Sequence, residues 1–152
     1  MRSKFILTLC IFHLLDMTAA SIANDSTRGA INASSETSEK DCYSDPAPGI
    51  DWSGCELQWV DLAGADLKGA NLSNASFLNG NLAGANLSGA NLESTALGGA
   101  DLRGTNFTGA NLKGATMVKS KLTSAIFDHA HLDGAVYANA KICGENSVGI
   151  CR

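Results

Sequence analysis

The densest group of residues able to do chemistry is Phe127-Asp128-His129-Ala130-His131-Leu132-Asp133. Two imidazoles and two carboxylates in one short segment are the types that ligate a divalent cation, so a weak surface metal site is one reading of it. A protein metal centre brings three or four ligands to one point. No further Cys, His or acid converges on this segment by spacing, so the expectation is a polar outer surface and no metal. Cysteine offers a second chemistry, at Cys10, Cys42, Cys55, Cys143 and Cys151. None of these stands in the close C-x-x-C spacing of a zinc site. Serine and threonine are abundant, yet none is supported by a base and an orienting acid at a recognisable spacing. The glycines recur every five residues, which is turn punctuation and not a phosphate-cradling loop. Neither an enzymatic activity nor a cofactor is expected.

The elements that must position these residues begin after a segment that reads as an export signal. Arg2 and Lys4 make a basic start, Phe5 to Leu15 is an apolar run, and Ser21-Ile22-Ala23 and Thr18-Ala19-Ala20 are alternative small-x-small exits. This layout over residues 1–23 is that of a secretory signal peptide. The run is shorter than the ~20 apolar residues of a membrane-spanning helix. Cys10 follows Leu9 inside that run, where a lipid-attachment cysteine would follow a small residue. The expected location is therefore periplasmic or secreted, with no membrane span after cleavage. Export implies an oxidising compartment, and removal of the signal leaves an even number of cysteines, which supports disulfides. Residues 24–41 are rich in Ser, Thr, Ala and Asn without apolar period, and read as a flexible linker.

Beyond Trp52 the chain repeats every five residues. An apolar residue stands at Leu57, Leu62, Leu67, Leu72, Phe77, Leu82, Leu87, Leu92, Leu97, Leu102, Phe107, Leu112, Met117, Leu122, Phe127, Leu132, Tyr137 and Ile142, 18 positions without a slip. Two residues earlier the chain usually has Ala, one residue earlier often Asp or Asn, and two residues later often Gly. On an α-helix a step of five advances about 140°, which scatters the leucines around the cylinder. On a flat strand successive leucines would face opposite sides. One core collects them all only if the chain also turns by a fixed amount per repeat, which makes a solenoid. Gly at the corner accepts φ > 0, Asn and Asp bond back to nearby backbone, and each coil covers the next.

Units such as Ala65-Asp66-Leu67-Lys68-Gly69 and Ala85-Asn86-Leu87-Ser88-Gly89 resemble the A-[D/N]-L-x-x motif of the pentapeptide-repeat family, over roughly residues 52–144. The resemblance implies an all-β fold, a right-handed four-sided β-helix with one repeat per side and 20 residues per coil. On that basis the repeats at 57–144 make about 4.5 coils, about 22 Å of rod at about 4.8 Å per coil. A solenoid needs caps, here expected at 42–56, with Trp52 as a lid, and at 145–152. On the same implied geometry Cys55 and Cys143 lie about 20 Å apart along the rod, beyond the ~7 Å Cα separation a disulfide tolerates. The expected pairs are therefore Cys42–Cys55 and Cys143–Cys151.

Some members of the resembled family are acidic rods that imitate DNA and bind a topoisomerase. Here residues 24–51 carry 6 acids and 2 bases, whereas residues 52–142 carry 7 acids and 6 bases. The rod itself is close to neutral, which argues against DNA mimicry. It also has no basic stripe to bind nucleic acid. The favoured reading is a protein-binding or structural module whose partner is an unknown protein or a second copy. On the four-sided arrangement one face presents Leu78, Ala96, Val118, Val136 and Ala138, with Glu56 as its one charge and Lys119 at its corner. Such a strip marks a partner surface or is scattered aliphatic surface on an Ala-rich solenoid. After Ala115 the motif decays: Lys119, Ser124 and His129 stand at the corner Gly position, and Lys121, Ile126 and His131 replace Asp or Asn. These upper coils are where a function on the rod is first sought.

Overall fold

The computed structural model describes residues 41–152, which belong to one compact unit, Thr37–Arg152. The signal peptide, and the linker up to residue 40, lie outside the described residues. From Asp51 to Val136 the backbone forms isolated parallel bridges, each joining a residue to the one 20 positions later: Asp51 to Asn71, Glu56 to Ser76, Asp61 to Asn81, Asp66 to Asn86, and onward. Bridges fall every five residues, so each coil has four sides. We label them by their first bridged residue: side 1 from Asp51, side 2 from Glu56, side 3 from Asp61 and side 4 from Asp66.

The five-residue motif acts locally. In each repeat up to that of Leu132 the residue two after the buried one has a left-handed backbone, and a bond such as Ala65 N–H to Leu62 C=O (3.0 Å) closes the corner. With φ positive only at the third turn residue this is the type II pattern, which favours Gly there. Thus Gly64, Gly69 and Gly84 have φ near +70°. Where the motif decays the backbone does not: Lys119, Ser124 and His129 keep φ of 61°, 61° and 58°. The coil-to-coil bonds between successive turns, such as Leu62 N–H to Asn81 C=O at 2.7 Å, impose the corner on residues that dislike it.

Inside, Leu67 to Met117 form an unbroken buried column, with Phe77 and Phe107 among its largest members. The small position beside it is Ala in most repeats. At 95 and 105 it is Thr, fully buried, and each hydroxyl donates to a carbonyl of the coil below, Leu72 and Leu82 at 2.8 Å. These bonds remove the cost of burying a hydroxyl. Leu57 and Leu62, in the lowest coil, are still buried, while Leu122, Phe127 and Tyr137 are half-covered because no full coil lies above them. Phe127 stacks on Phe107 at 5.1 Å and meets Tyr137 at 6.0 Å, so an aromatic column closes the upper core.

Two expectations about the ends are corrected. The coil starts earlier than residue 57: Gly49 N–H already bonds Lys68 C=O, and Trp52 is buried as the first rung of the core rather than a lid outside it. Ile142 is not in the core; it is 68% exposed. The left-handed corner falls on Ala140 instead of residue 139, and Tyr137 N–H bonds Lys141 C=O, so the chain reverses. Val136 then pairs antiparallel with Ile142, and His131 with Val148. A one-residue slip exchanges inside for outside, and Cys143, not Ile142, turns inward and is buried. The upper cap therefore begins within the last expected repeat. Its hairpin covers part of the upper edge, with Leu132 N–H bonded to Ser147 C=O and Cys143 N–H to Ala135 C=O. Cys42 is bonded to Cys55 and Cys143 to Cys151, with Cα separations of 5.7 and 4.8 Å.

Candidate interaction face

Three of the four sides carry Asn or Asp at most bridged positions, and these form ladders. On side 1, Asn111 donates from Nδ2 to Asn91 (3.1 Å), Asn91 to Asn71 (3.3 Å) and Asn71 to Asp51 (3.2 Å). On sides 3 and 4, Asn81 and Asn86 donate at 2.9 Å to Asp61 and Asp66. Each amide points its donor toward the lower end, so the last member needs only to accept. A carboxylate is acceptor-only, which accounts for Asp at the foot of each ladder. On side 3 Asp101 is held instead by Arg103, with two contacts of 2.7–2.8 Å, and by Lys121 at 3.7 Å. The Arg103 side-chain bonds lower the Asp101 carboxyl to a pKa of about 2, against a smaller opposing effect of burial.

Side 2 has no such ladder. Its bridged residues are Glu56, Ser76, Ala96, Thr116 and Val136, and its second row is Gln58, Leu78, Gly98, Val118 and Ala138. Leu78 is 38% exposed, while Ala96, Val118, Val136 and Ala138 are partly covered. The structure thus brings the five expected face residues onto one side. It adds one that sequence inspection passed over. Trp59 stands at the corner of this face, 75% exposed and with φ of 61°. The signal was its place in the motif, since Trp59 occupies a position usually given to Gly.

The His/Asp cluster is divided by the corner between sides 4 and 1. Asp128 and His129 form the corner itself, whereas His131 and Asp133 lie beyond it on side 1. Asp133 serves the cap: Oδ1 accepts from Ser147 N–H at 2.9 Å and Oδ2 lies 3.7 Å from Lys113 Nζ. Among the described residues no three His, Cys, Asp or Glu side chains converge on a point. An open cleft of about 330 Å³ lies against the upper cap, lined by Leu132, Tyr137, Lys141, Ile150 and neighbours. Burial raises the Tyr137 phenol there. No described helix is long and apolar enough to cross a membrane.

A sequence profile described as pentapeptide repeats, in 8 copies, matches residues 55–93, 85–123 and 100–136. No curated protein matches the chain. Among solved structures it is similar to Rfr23, a pentapeptide repeat protein from the cyanobacterium Cyanothece 51142, at 30% identity over 56% of this chain and 75% of that one, with a TM-score of 0.48. It is also similar to a pentapeptide repeat protein from the Arabidopsis thaliana thylakoid lumen, at 30% identity over 59% and 66% of the two chains, with a TM-score of 0.38. Trypsin-treated QnrB1, a plasmid-mediated fluoroquinolone resistance protein, matches at 18% identity over 64% and 60%, with a TM-score of 0.54. The chain thus spans less than two thirds of the latter two. At that identity the QnrB1 likeness speaks to fold alone. The repeat match and the fold shared with QnrB1 imply a right-handed four-sided β-helix.

Proposed function

This chain belongs to the pentapeptide repeat family, and on that premise we propose that it works as a non-enzymatic, extracytoplasmic protein-binding or structural module. Pentapeptide repeat proteins are in general structural folds without catalysis. A rod of about 4.5 coils offers four narrow flat sides, and the observation that carries the reading is that side 2 alone lacks the polar ladder. Above Glu56 and Gln58 this side presents mainly Leu, Val, Ala and Gly, gives up the polar ladder that the other sides have, and suits contact with another surface. Export is supported by the signal-like start and by two cysteine pairs compatible with an oxidising compartment. Affinity capture from the envelope or medium fraction, with wild type and Leu78→Asp/Val118→Asp side by side, tests the reading. Loss of a protein from the double variant at unchanged melting temperature supports it; identical profiles remove side 2 as the binding face.

The second reading, a DNA mimic that binds a topoisomerase, draws on the fold shared with QnrB1. It needs acid along the cylinder. Here residues 52–142 carry 7 acids against 6 bases, and of those acids only Glu56, Asp61, Asp66, Glu93 and Asp128 are exposed. A supercoiling assay at increasing protein concentration tests it, and no inhibition is expected.

A further inference from the structure

Trp59 poses a question that the fold does not answer. Its corner is left-handed, the ring is 75% exposed, and nothing in the core depends on it. Coil-to-coil bonds hold this corner left-handed as they hold the others, but they call for no large apolar ring there. Exposed Trp is also the side chain most often found at the energetic centre of an interface.

We propose that side 2 pairs with side 2 of a second copy, the two rods running in opposite directions, with Trp59 as the anchor. The inference rests on the reading of side 2 as the binding face. Trp59, Asn79, Gly99 and Lys119 form one corner column, linked by successive bonds such as Trp59 N–H to Leu78 C=O and Gly99 N–H to Val118 C=O. A two-fold axis lying in the face and perpendicular to the rod keeps each column opposite itself and inverts its order. With the axis midway between the coils of Leu78 and Gly98, the indole of Trp59 lies over the ammonium of Lys119 in the other copy, a cation–π pair. The symmetry makes this pair twice. Leu78 then faces Gly98 of the other copy. The absence of a side chain at Gly98, over which Leu78 already leans (its Cδ2 lies 3.2 Å from where a Cβ would be), leaves room for the close approach. Parallel pairing sets the Trp59 column against the bridged residues, which offer the indole no cation.

The face limits the strength of the pair. Four overlapping coils at about 4.8 Å spacing and three extended residues of width give roughly 200 Å² of flat surface. A stable interface buries about 800 Å² per partner. The association is therefore weak, reversible and concentration-dependent.

Sedimentation velocity over the micromolar to millimolar range tests it. Wild type shifts toward dimer as concentration rises. Trp59→Gly relieves the backbone strain, so it melts higher than wild type while its association constant falls at least tenfold. Glu56→Cys/Thr116→Cys tests the arrangement. The two sites are three coils apart within one chain, about 14 Å, too far to bond, but adjacent between inverted copies. Mild oxidation is expected to give a covalent dimer with the double variant and none with either single variant. Wild type that stays monomeric throughout, Trp59→Gly that associates like wild type, or a double variant that never crosslinks would each overturn the pairing. If wild type is monomeric yet Leu78→Asp/Val118→Asp loses a different captured protein, self-pairing falls and the binding-face reading stands. If capture is also unchanged, both fall.

Discussion

Asp61 Oδ1 accepts a bond from Asn81 Nδ2 of the coil above, 2.9 Å away, and a second from Ala63 N–H at 3.3 Å. The carboxylate both closes its own turn and ends a ladder. The same double duty recurs at Asn91, which accepts from Glu93 N–H and Asn111 and in addition donates to Asn71. The two positions therefore respond differently to the same chemical change. Asp61→Asn keeps an acceptor oxygen and is expected to shift stability by less than about 0.5 kcal/mol. Asn91→Asp loses its donor and sets a carboxylate against the Asn71 oxygen, for a loss of about 1–3 kcal/mol. Urea denaturation of the pair checks the contrast.

The corners make a second prediction. Ser124 and Lys119 hold left-handed φ of 61° with exposed side chains. Replacing either with Gly is expected to stabilise the fold by about 0.5–1 kcal/mol, strain relief being partly offset by the greater freedom of unfolded Gly. Gly109→Ala runs the other way. A Cβ there meets nothing within 4 Å, so its cost of about 1 kcal/mol comes from φ of +66° alone. Melting temperatures of the three variants decide it.

Acid sensitivity is expected to run in part through Asp101. Its carboxyl is depressed to about 2 from 3.8, chiefly by the Arg103 side-chain bonds. A depressed carboxylate contributes stability that is present above the unfolded value near 3.8 and is lost as pH falls through about 2. The pair is partly solvent-exposed, so the contribution is small. Arg103→Ala should flatten the stability profile between pH 4 and pH 2 relative to wild type. An unchanged slope would show that Arg103 does not set that carboxyl.

The cap hairpin and the coils are expected to separate on reduction of the upper disulfide. Cys143→Ser/Cys151→Ser should cost about 2–3 kcal/mol. Amide exchange should rise at Leu132, Gly134 and Gly149, whose N–H groups bond across the cap, while Leu87 and Leu92 stay protected. Peptide mapping of the unreduced protein should recover Cys42 with Cys55 and Cys143 with Cys151. A Cys55–Cys143 peptide would refute this arrangement.

Burial distinguishes two residues with the same place in the motif. Leu112→Ala removes a fully buried side chain and should cost about 2–5 kcal/mol. Ile142→Ala, at 68% exposure, should cost less than about 1 kcal/mol. Chemical denaturation of both variants compares them.

A period of five with Leu, small, Asx and Gly positions was enough to specify the solenoid, because it sets an inward or outward direction for each residue without reference to any distant part of the chain. The column from Leu67 to Met117 and the gathering of Leu78, Ala96, Val118, Val136 and Ala138 on one side follow from counting alone. Three things did not. The turn to an antiparallel hairpin at Ala140 depends on the cap pairing with the last coil, and a regular apolar phase carried through Ile142 hides it. The separation of Asp133 from His129 depends on a corner and on Ser147, 14 residues away. The strain at Trp59 appears only once coil-to-coil bonds hold every corner left-handed, whatever residue stands there. Local periodicity decides direction, whereas pairing between coils decides where the repeat stops and which side chains are held against their own preference.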